Sequence, residues 1–205
     1  KLKRFEFSNK PADFALNGAV YNDPKEDLAK YLKANRLVTL SPQVQAMATE
    51  VTKGKTTALE KARAIYDYVF DNVSYDKTIP GWGNGDTERV CLVKAGNCTD
   101  FHAYFIALAR SVGIPARFGI GAAIPSDRND GGIDGYHCWV EFYAESKWWP
   151  VDISEADKYS SLATYYFGHH PANRFEFSRG RDLVFAPGPD EGPINFLAYP
   201  VLEIA

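Results

Sequence analysis

Between residues 57 and 72, apolar side chains recur at Leu59, Ala62, Ile65, Tyr66 and Val69, the three-and-four spacing of one buried helix face. Ser41-Pro42 supplies an N-cap and a proline at the first helical position, so a helix is expected from there to about Val51. Phe101, Phe105, Leu108 and Val112 fall at i, i+4, i+7 and i+11, predicting a further helix that Gly113 and Pro115 stop. Downstream the period drops to two. Residues 116–123 have strand character, 137–143 alternate, 147–153 form a second strand, and Ala144-Glu145-Ser146 turns between these two. A hairpin centred on Glu145 pairs positions whose numbers sum to 289 or 290, which sets His137 opposite Asp152 or Ile153. Helices first and antiparallel strands afterwards define an α+β protein, N-terminal helices packed on a C-terminal antiparallel sheet.

The remaining stretches carry weaker patterns. Residues 1–40 read as an N-terminal arm or the remnant of an upstream region, with an edge strand over 3–7 and a short helix opened by Asp23-Pro24 and running through Tyr31-Leu32. The domain proper is expected over 41–205. Pro80, Gly81, Gly83, Asn84 and Gly85 make 74–86 a loop, and 125–135 is polar, glycine-rich and expected to be mobile. Strands are expected over 174–177 and 182–185, and a loop over 187–193.

At 205 residues, 45% hydrophobic and 24% charged, the chain suits one ordinary folded domain. A net charge of -3 gives no electrostatic argument for nucleic acid or an anionic membrane as partner. No apolar run approaches the roughly 18 residues of a membrane span. The chain begins at Lys1 rather than Met, so it reads as a piece of a larger protein. Three cysteines are too few for a disulfide scaffold.

Chemistry concentrates in three motifs. Gly96-Asn97-Cys98-Thr99-Asp100 puts Cys98 in the first turn of a helix capped by Asn97, where opening N–H groups and the helix dipole favour a thiolate. The same N–H groups can hold the oxyanion of a tetrahedral intermediate. His137 lies on a strand, and Asp152 at the end of the next one, so Cys98, His137 and Asp152 are the parts of a nucleophile–base–orienter triad. His102, one helical turn beyond Cys98, competes for the role of base but has no evident acid partner. Cys138 is expected to face away from His137, into packing, and Cys91 to be a plain buried thiol. His169-His170 lacks a third ligand at zinc spacing, so no metal site is expected.

These motifs, with Gly113-Ile114-Pro115-Ala116-Arg117, His137-Cys138-Trp139-Val140-Glu141 and Trp149-Pro150-Val151-Asp152, resemble the transglutaminase-like superfamily, in particular its microbial members described as candidate cysteine proteases. The resemblance runs from about Ala58 to Ala156. It implies a papain-like fold with Cys98 as nucleophile, His137 as base and Asp152 as its orienter. The implied activity is acyl transfer from a peptide bond or glutamine side chain through a thioester, without a cofactor, on a peptide or protein substrate. An upstream donor would complete the oxyanion hole: Trp82 is the candidate and Tyr75 the weaker alternative. Thr99 stands where animal transglutaminases carry tryptophan, and no acidic cluster matches their calcium sites. Hydrolysis is therefore expected over cross-linking. A calcium-independent transglutaminase and a non-catalytic binding domain are the alternatives. Relatives of this type imply a periplasmic or secreted setting.

Overall fold

The structure, a computed structural model, describes residues 7–8, 27–125, 130–133 and 135–201. In chain order its elements are β1 (Phe7–Ser8), α1 (Pro42–Val51), α2 (Ala58–Asn72), β2 (Ser74–Tyr75), α3 (Thr87–Val93), β3 (Ala95–Gly96), α4 (Cys98–Ser111) and β4 (Ala116–Ala123). There follow β5 (His137–Ala144), β6 (Lys147–Val151), α5 (Ile153–Lys158), β7 (His169–His170) and β8 (Arg174–Arg179). Short 3-10 turns lie at Leu28–Leu32 and Ser160–Leu162.

The N-caps expected at Ser41 and Asn97 both form. Ser41 accepts the Val44 N–H. Thr57 and Glu60 close a reciprocal capping box at the start of α2, and Asn97 and Asp100 do the same for α4. Gly113, at φ +79°, ends α4 in the left-handed conformation that glycine adopts without penalty. α4 departs from the one-faced helix its periodicity implies, because every side chain from Cys98 to Arg110 is buried. It runs through the middle of the molecule. Ile65, Tyr66 and Val69 of α2 share a core with its Phe101, Phe105 and Leu108, and so do Phe118 and Ile120 of β4 and Val140 and Phe142 of β5. Truncating a fully buried Phe101 to alanine would cost about 3–5 kcal/mol.

The main sheet is antiparallel, in the order β6-β5-β4-β8. Its hairpin differs from the expected register. Glu145 and Ser146 both have positive φ (51° and 62°), a two-residue turn, so Ala144 pairs with Lys147 and Val140 with Val151. β6 ends at Val151, so neither Asp152 nor Ile153 pairs with His137; Asp152 caps α5 instead.

Other differences are local. α3, unforeseen from the sequence, follows an Asp86 cap that accepts the Glu88 and Arg89 N–H groups. The expected loop of 74–86 opens with β2, which pairs in parallel with β3. The expected strand over 182–185 is reduced to a bridge between Leu183 and Ile194. Of the N-terminal arm, Phe7–Ser8 pairs with β7, while residues 1–6 and the Asp23-Pro24 helix start lie outside the described residues. So do 126–129 and 134 of the expected mobile segment. Among the described residues no helix is long and apolar enough to cross a membrane.

Candidate active site

Gly96 explains why the helix start can be so compact. The Asp100 carboxylate folds back to accept the Asn97 N–H at 2.9 Å, and a Cβ at position 96 would collide with that side chain. Asp100 also accepts the Gly83 N–H (2.6 Å) and the Gly85 N–H (3.1 Å), tying the Trp82 loop to the first turn of α4. Burial raises the Asp100 pKa while these three N–H donors oppose the rise. Asn97 accepts the Thr99 N–H and donates to the Tyr136 hydroxyl at 3.0 Å. Cys98 is thus presented at a braced helix terminus, 3% exposed.

The structure brings Cys98, His137 and Asp152 together. His137 Nε2 lies 2.6 Å from Asp152 Oδ2. That leaves Nδ1 as the ring nitrogen available to Cys98. Burial alone would disfavour the imidazolium, yet the Asp152 carboxylate, its hydrogen bond and the Cys98 sulfur raise the His137 pKa to about 9. Asp152 is pulled the other way. Burial would raise its pKa, but His137, His102 and Arg174 together hold it well below the ordinary carboxylate range. The Cys98 pKa is lowered, first by a hydrogen bond from Cys138 and, against the cost of burial, by His137. At neutral pH the arrangement favours a thiolate–imidazolium pair beside an ionised carboxylate.

Cys138 is buried in packing, as expected, with Val140 and Phe142 and opposite Trp139 and Glu141, on the core face where α4 lies. Its sulfur is 3.7 Å from Thr99 Oγ1, and its proximity to Cys98 acts on the pKa of both thiols. His137, at the very start of β5, acts on Cys98 from the strand end. Burial and the charge on Cys98 push the Cys138 thiol well above its ordinary pKa, so it keeps its proton.

His102 is fully buried one turn below Cys98 and plays a different part. Its Nε2 accepts the Ile153 N–H at 3.0 Å, and it stands 3.7 Å from Asp152 Oδ1. Burial lowers its pKa to about 4, so it is neutral and cannot donate from Nε2. Trp82 sits 40% exposed in its loop with Lys77 Nζ 5.4 Å from its ring. Tyr75 packs on Phe101 and bears Lys158 Nζ 4.6 Å from its ring. Burial, followed by the Cys98 charge, raises the Tyr75 pKa to about 12. Cys91 is buried, near the Tyr104 hydroxyl. His169 and His170 pair with the backbone of β1, and no group of three His, Cys, Asp or Glu among the described residues is arranged to hold a metal.

Sequence reasoning missed Arg174. Its Nη2 lies 3.1 Å from Asp152 Oδ2, and both side chains are 4% exposed. The local pattern of β8 holds no hint of it, because the contact depends on which strands neighbour each other.

The chain belongs to the transglutaminase-like superfamily, whose sequence model matches residues 45–153, more than half of it. An uncharacterized protein of Haemophilus influenzae is 34% identical over 222 residues, covering 90% of this chain and 60% of that protein. The uncharacterized protein YebA of Bacillus subtilis is 27% identical over 125 residues, covering 54% of this chain and 17% of YebA. The chain therefore spans less than two thirds of either relative. Among solved structures, a candidate cysteine protease from Cytophaga hutchinsonii superposes with a TM-score of 0.57 at 22% identity, covering 77% of this chain and 48% of that one. The periplasmic domain of TgpA from Pseudomonas aeruginosa, bound to ethylmercury, gives 0.52 at 19% identity, with coverage of 69% and 54%. At these identities the likeness concerns the fold: helices on an antiparallel sheet, as in the transglutaminase core.

Proposed function

We propose that this domain is a thiol-dependent amidase or peptidase, with Cys98 as nucleophile, His137 as acid and base, and Asp152 as orienter. The observation that carries the reading is the His137 Nε2–Asp152 Oδ2 contact at 2.6 Å, beside a Cys98 whose pKa His137 helps to lower. The Cys98 thiolate attacks the carbonyl carbon of a peptide bond or glutamine side chain, and the carbonyl electron pair moves to oxygen. The Cys98 backbone N–H, one of the opening donors of α4, faces that oxyanion. Trp82 and Tyr75 remain the candidates for the second donor. His137 then gives its proton to the departing amine, and the C–N bond breaks to leave a thioester. Neutral His137 next takes a proton from water, whose oxygen attacks the thioester; the acid leaves and the thiolate–imidazolium pair returns.

Hydrolysis is favoured over transamidation by Thr99 and by the absence of a calcium-type acidic cluster from the sequence. The substrate is read as a peptide or protein, and the domain as part of a longer protein, as its relatives are. A setting outside the cytoplasm is read from the periplasmic TgpA domain. Incubation with a glutamine-containing peptide and excess labelled primary amine tests the proposal by mass spectrometry. Acid product lost in Cys98→Ala is expected. Dominant amine adduct, unaffected by calcium chelation, would make the domain a calcium-independent transglutaminase. No turnover on a broad peptide library, with Cys98 unreactive to iodoacetamide, would overturn the enzyme reading.

A further inference from the structure

Asp152 has two oxygens with different duties. Oδ1 accepts the Ser154 hydroxyl and the Glu155 N–H, each at 3.2 Å, which fixes the carboxylate as the cap of α5. Oδ2 takes His137 at 2.6 Å and Arg174 at 3.1 Å. Two groups that carry positive charge thus converge on a single oxygen, away from solvent. Arg174 begins β8, at the sheet edge far from β6, and its backbone neighbour across the ladder is Ala123 of β4. Its Nη1 donates to Asn173 Oδ1 at 2.7 Å, and Glu155 Oε2 stands 3.8 Å from Nη2. Its Nε, though buried, has no hydrogen-bond partner among the described residues. A guanidinium placed only to fasten β8 would be expected to satisfy its donors, since each buried donor left unmade costs about 1–3 kcal/mol. Here the side chain leaves one donor unmade while it meets the oxygen that His137 uses.

Resting on the triad reading above, we propose that Arg174 is a positioning residue that acts through Asp152 to set the acidity of the His137 imidazolium. The charges are the reason. Cys98 thiolate, His137 imidazolium, Asp152 carboxylate and Arg174 guanidinium sum to zero, whereas the first three alone sum to minus one. A cation sharing Oδ2 withdraws part of the carboxylate field from His137, so the imidazolium gives its proton more readily to a departing amine. Without it, Asp152 would hold that proton more tightly and His137 would be a poorer acid. The surrounding titratable groups do not supply this counterweight. His102 on α4 is neutral, Tyr66 of α2 and Tyr166 are raised by burial and stay protonated, and His170 of β7 is lowered by burial to about 4 and uncharged. Cys138 keeps its proton, and the carboxylates Glu141 and Glu155 add negative rather than positive charge. Among the described residues Arg174 is the cation in contact with Asp152 besides His137, since Lys158 of α5 pairs with Glu155 instead.

The test is an NMR titration of the His137 ring in the folded resting protein, with kcat measured on the same variants once a substrate is in hand. Arg174→Gln keeps a donor to Asp152 and removes the charge. It is expected to move the His137 midpoint upward by about one pH unit and to lower kcat with little change in KM. Arg174→Lys should restore the wild-type midpoint. A merely structural role predicts the opposite sign, because a loosened Asp152 would let the midpoint fall toward the ordinary imidazole value. An unchanged or lowered midpoint in a folded Arg174→Gln protein overturns the proposal. Where that variant does not fold, Arg174→Lys decides: a wild-type midpoint supports charge, and a fall overturns it. The midpoint is read without turnover, so failure of the acyl-transfer reading would show separately, as absent activity with the upward shift intact.

Discussion

His102 and His137 flank the same carboxylate, both out of solvent, yet one ends neutral and the other protonated. His102 lies on α4 at 3.7 Å from Asp152 Oδ1, and His137 begins β5 at 2.6 Å from Oδ2. The distance decides between burial and attraction. At His102 the desolvation cost of an imidazolium prevails, and the ring stays neutral with a pKa near 4. At His137 a direct hydrogen bond to Asp152, with the influence of Cys98, outweighs that cost and raises the pKa to about 9. Roughly an ångström and a second anion separate a ring that holds a proton from one that holds a backbone. Proximity to Cys98 in sequence is a poor guide: the histidine four residues away is the neutral one that holds the Ile153 N–H.

The largest break in that comparison is in turnover. His137→Ala is expected to lower it by about 10³-fold or more, because acid and base catalysis are lost together. His102→Gln offers Ile153 an acceptor again and should retain most activity. A folded His102→Gln protein that is dead, beside an active His137→Ala protein, would exchange the roles assigned here.

Asp152→Asn should remove the asymmetry itself. The amide can still occupy the position, but it cannot stabilise an imidazolium, and the His137 midpoint should fall toward the ordinary value. In a serine-protease triad the analogous change costs about 10⁴ in rate. A thiolate is the better intrinsic nucleophile, so a loss of about 10²-fold is expected here. Unchanged kinetics would remove Asp152 from the mechanism.

The sequence made one half of this site legible and hid the other. Asn97, Cys98 and Asp100 lie within one turn, and their capping box is a local event that spacing alone predicts. His137 was identified by the start of its strand. Its partner was expected through cross-strand pairing, yet the two-residue turn at Glu145-Ser146 shifts the register, and Asp152 meets His137 as a helix cap beyond the strand. Alternation turns Cys138 into packing without saying what lies there; α4 lies there. Arg174 depends on β8 joining β4, a long-range pairing that no window of sequence contains.

A smaller effect separates the two histidines in stability. His102 titrates near 4 when folded and at its ordinary 6.5 when unfolded, so the unfolded chain gains a proton first as pH falls. Its contribution should be lost between pH 6.5 and 4, to a total of about 3 kcal/mol. His137 has its folded pKa raised, so its contribution is complete below 6.5 and is lost as pH rises through about 9, again by about 3 kcal/mol. Cys98, whose pKa is lowered in the folded state, gains stability over the same alkaline range, so urea denaturation across pH 4 to 10 is compared in a Cys98→Ala background, where two separate declines are expected. His102→Gln should flatten the acid one and His137→Gln the alkaline one. If both variants flatten the same limb, the two rings do not differ in charge.

The smallest expected change comes from a group that touches neither histidine's carboxylate. The Cys138 thiol acts on Cys98 to lower its pKa, and the Cys98 charge in turn helps to keep His137 protonated. A thiol is a weak donor, so removing it should move the Cys98 pKa upward by about one pH unit, about 1.4 kcal/mol. The rate of Cys98 alkylation by iodoacetamide against pH, followed by peptide mass mapping in a Cys138→Ala protein, reads this directly. Its acid limb should shift to higher pH, and the His137 midpoint should fall slightly toward that of His102 as the thiolate becomes less populated. An acid limb that stays in place would mean that His137 and the helix terminus alone hold the thiolate, and that the second thiol adjoins the site without acting on it.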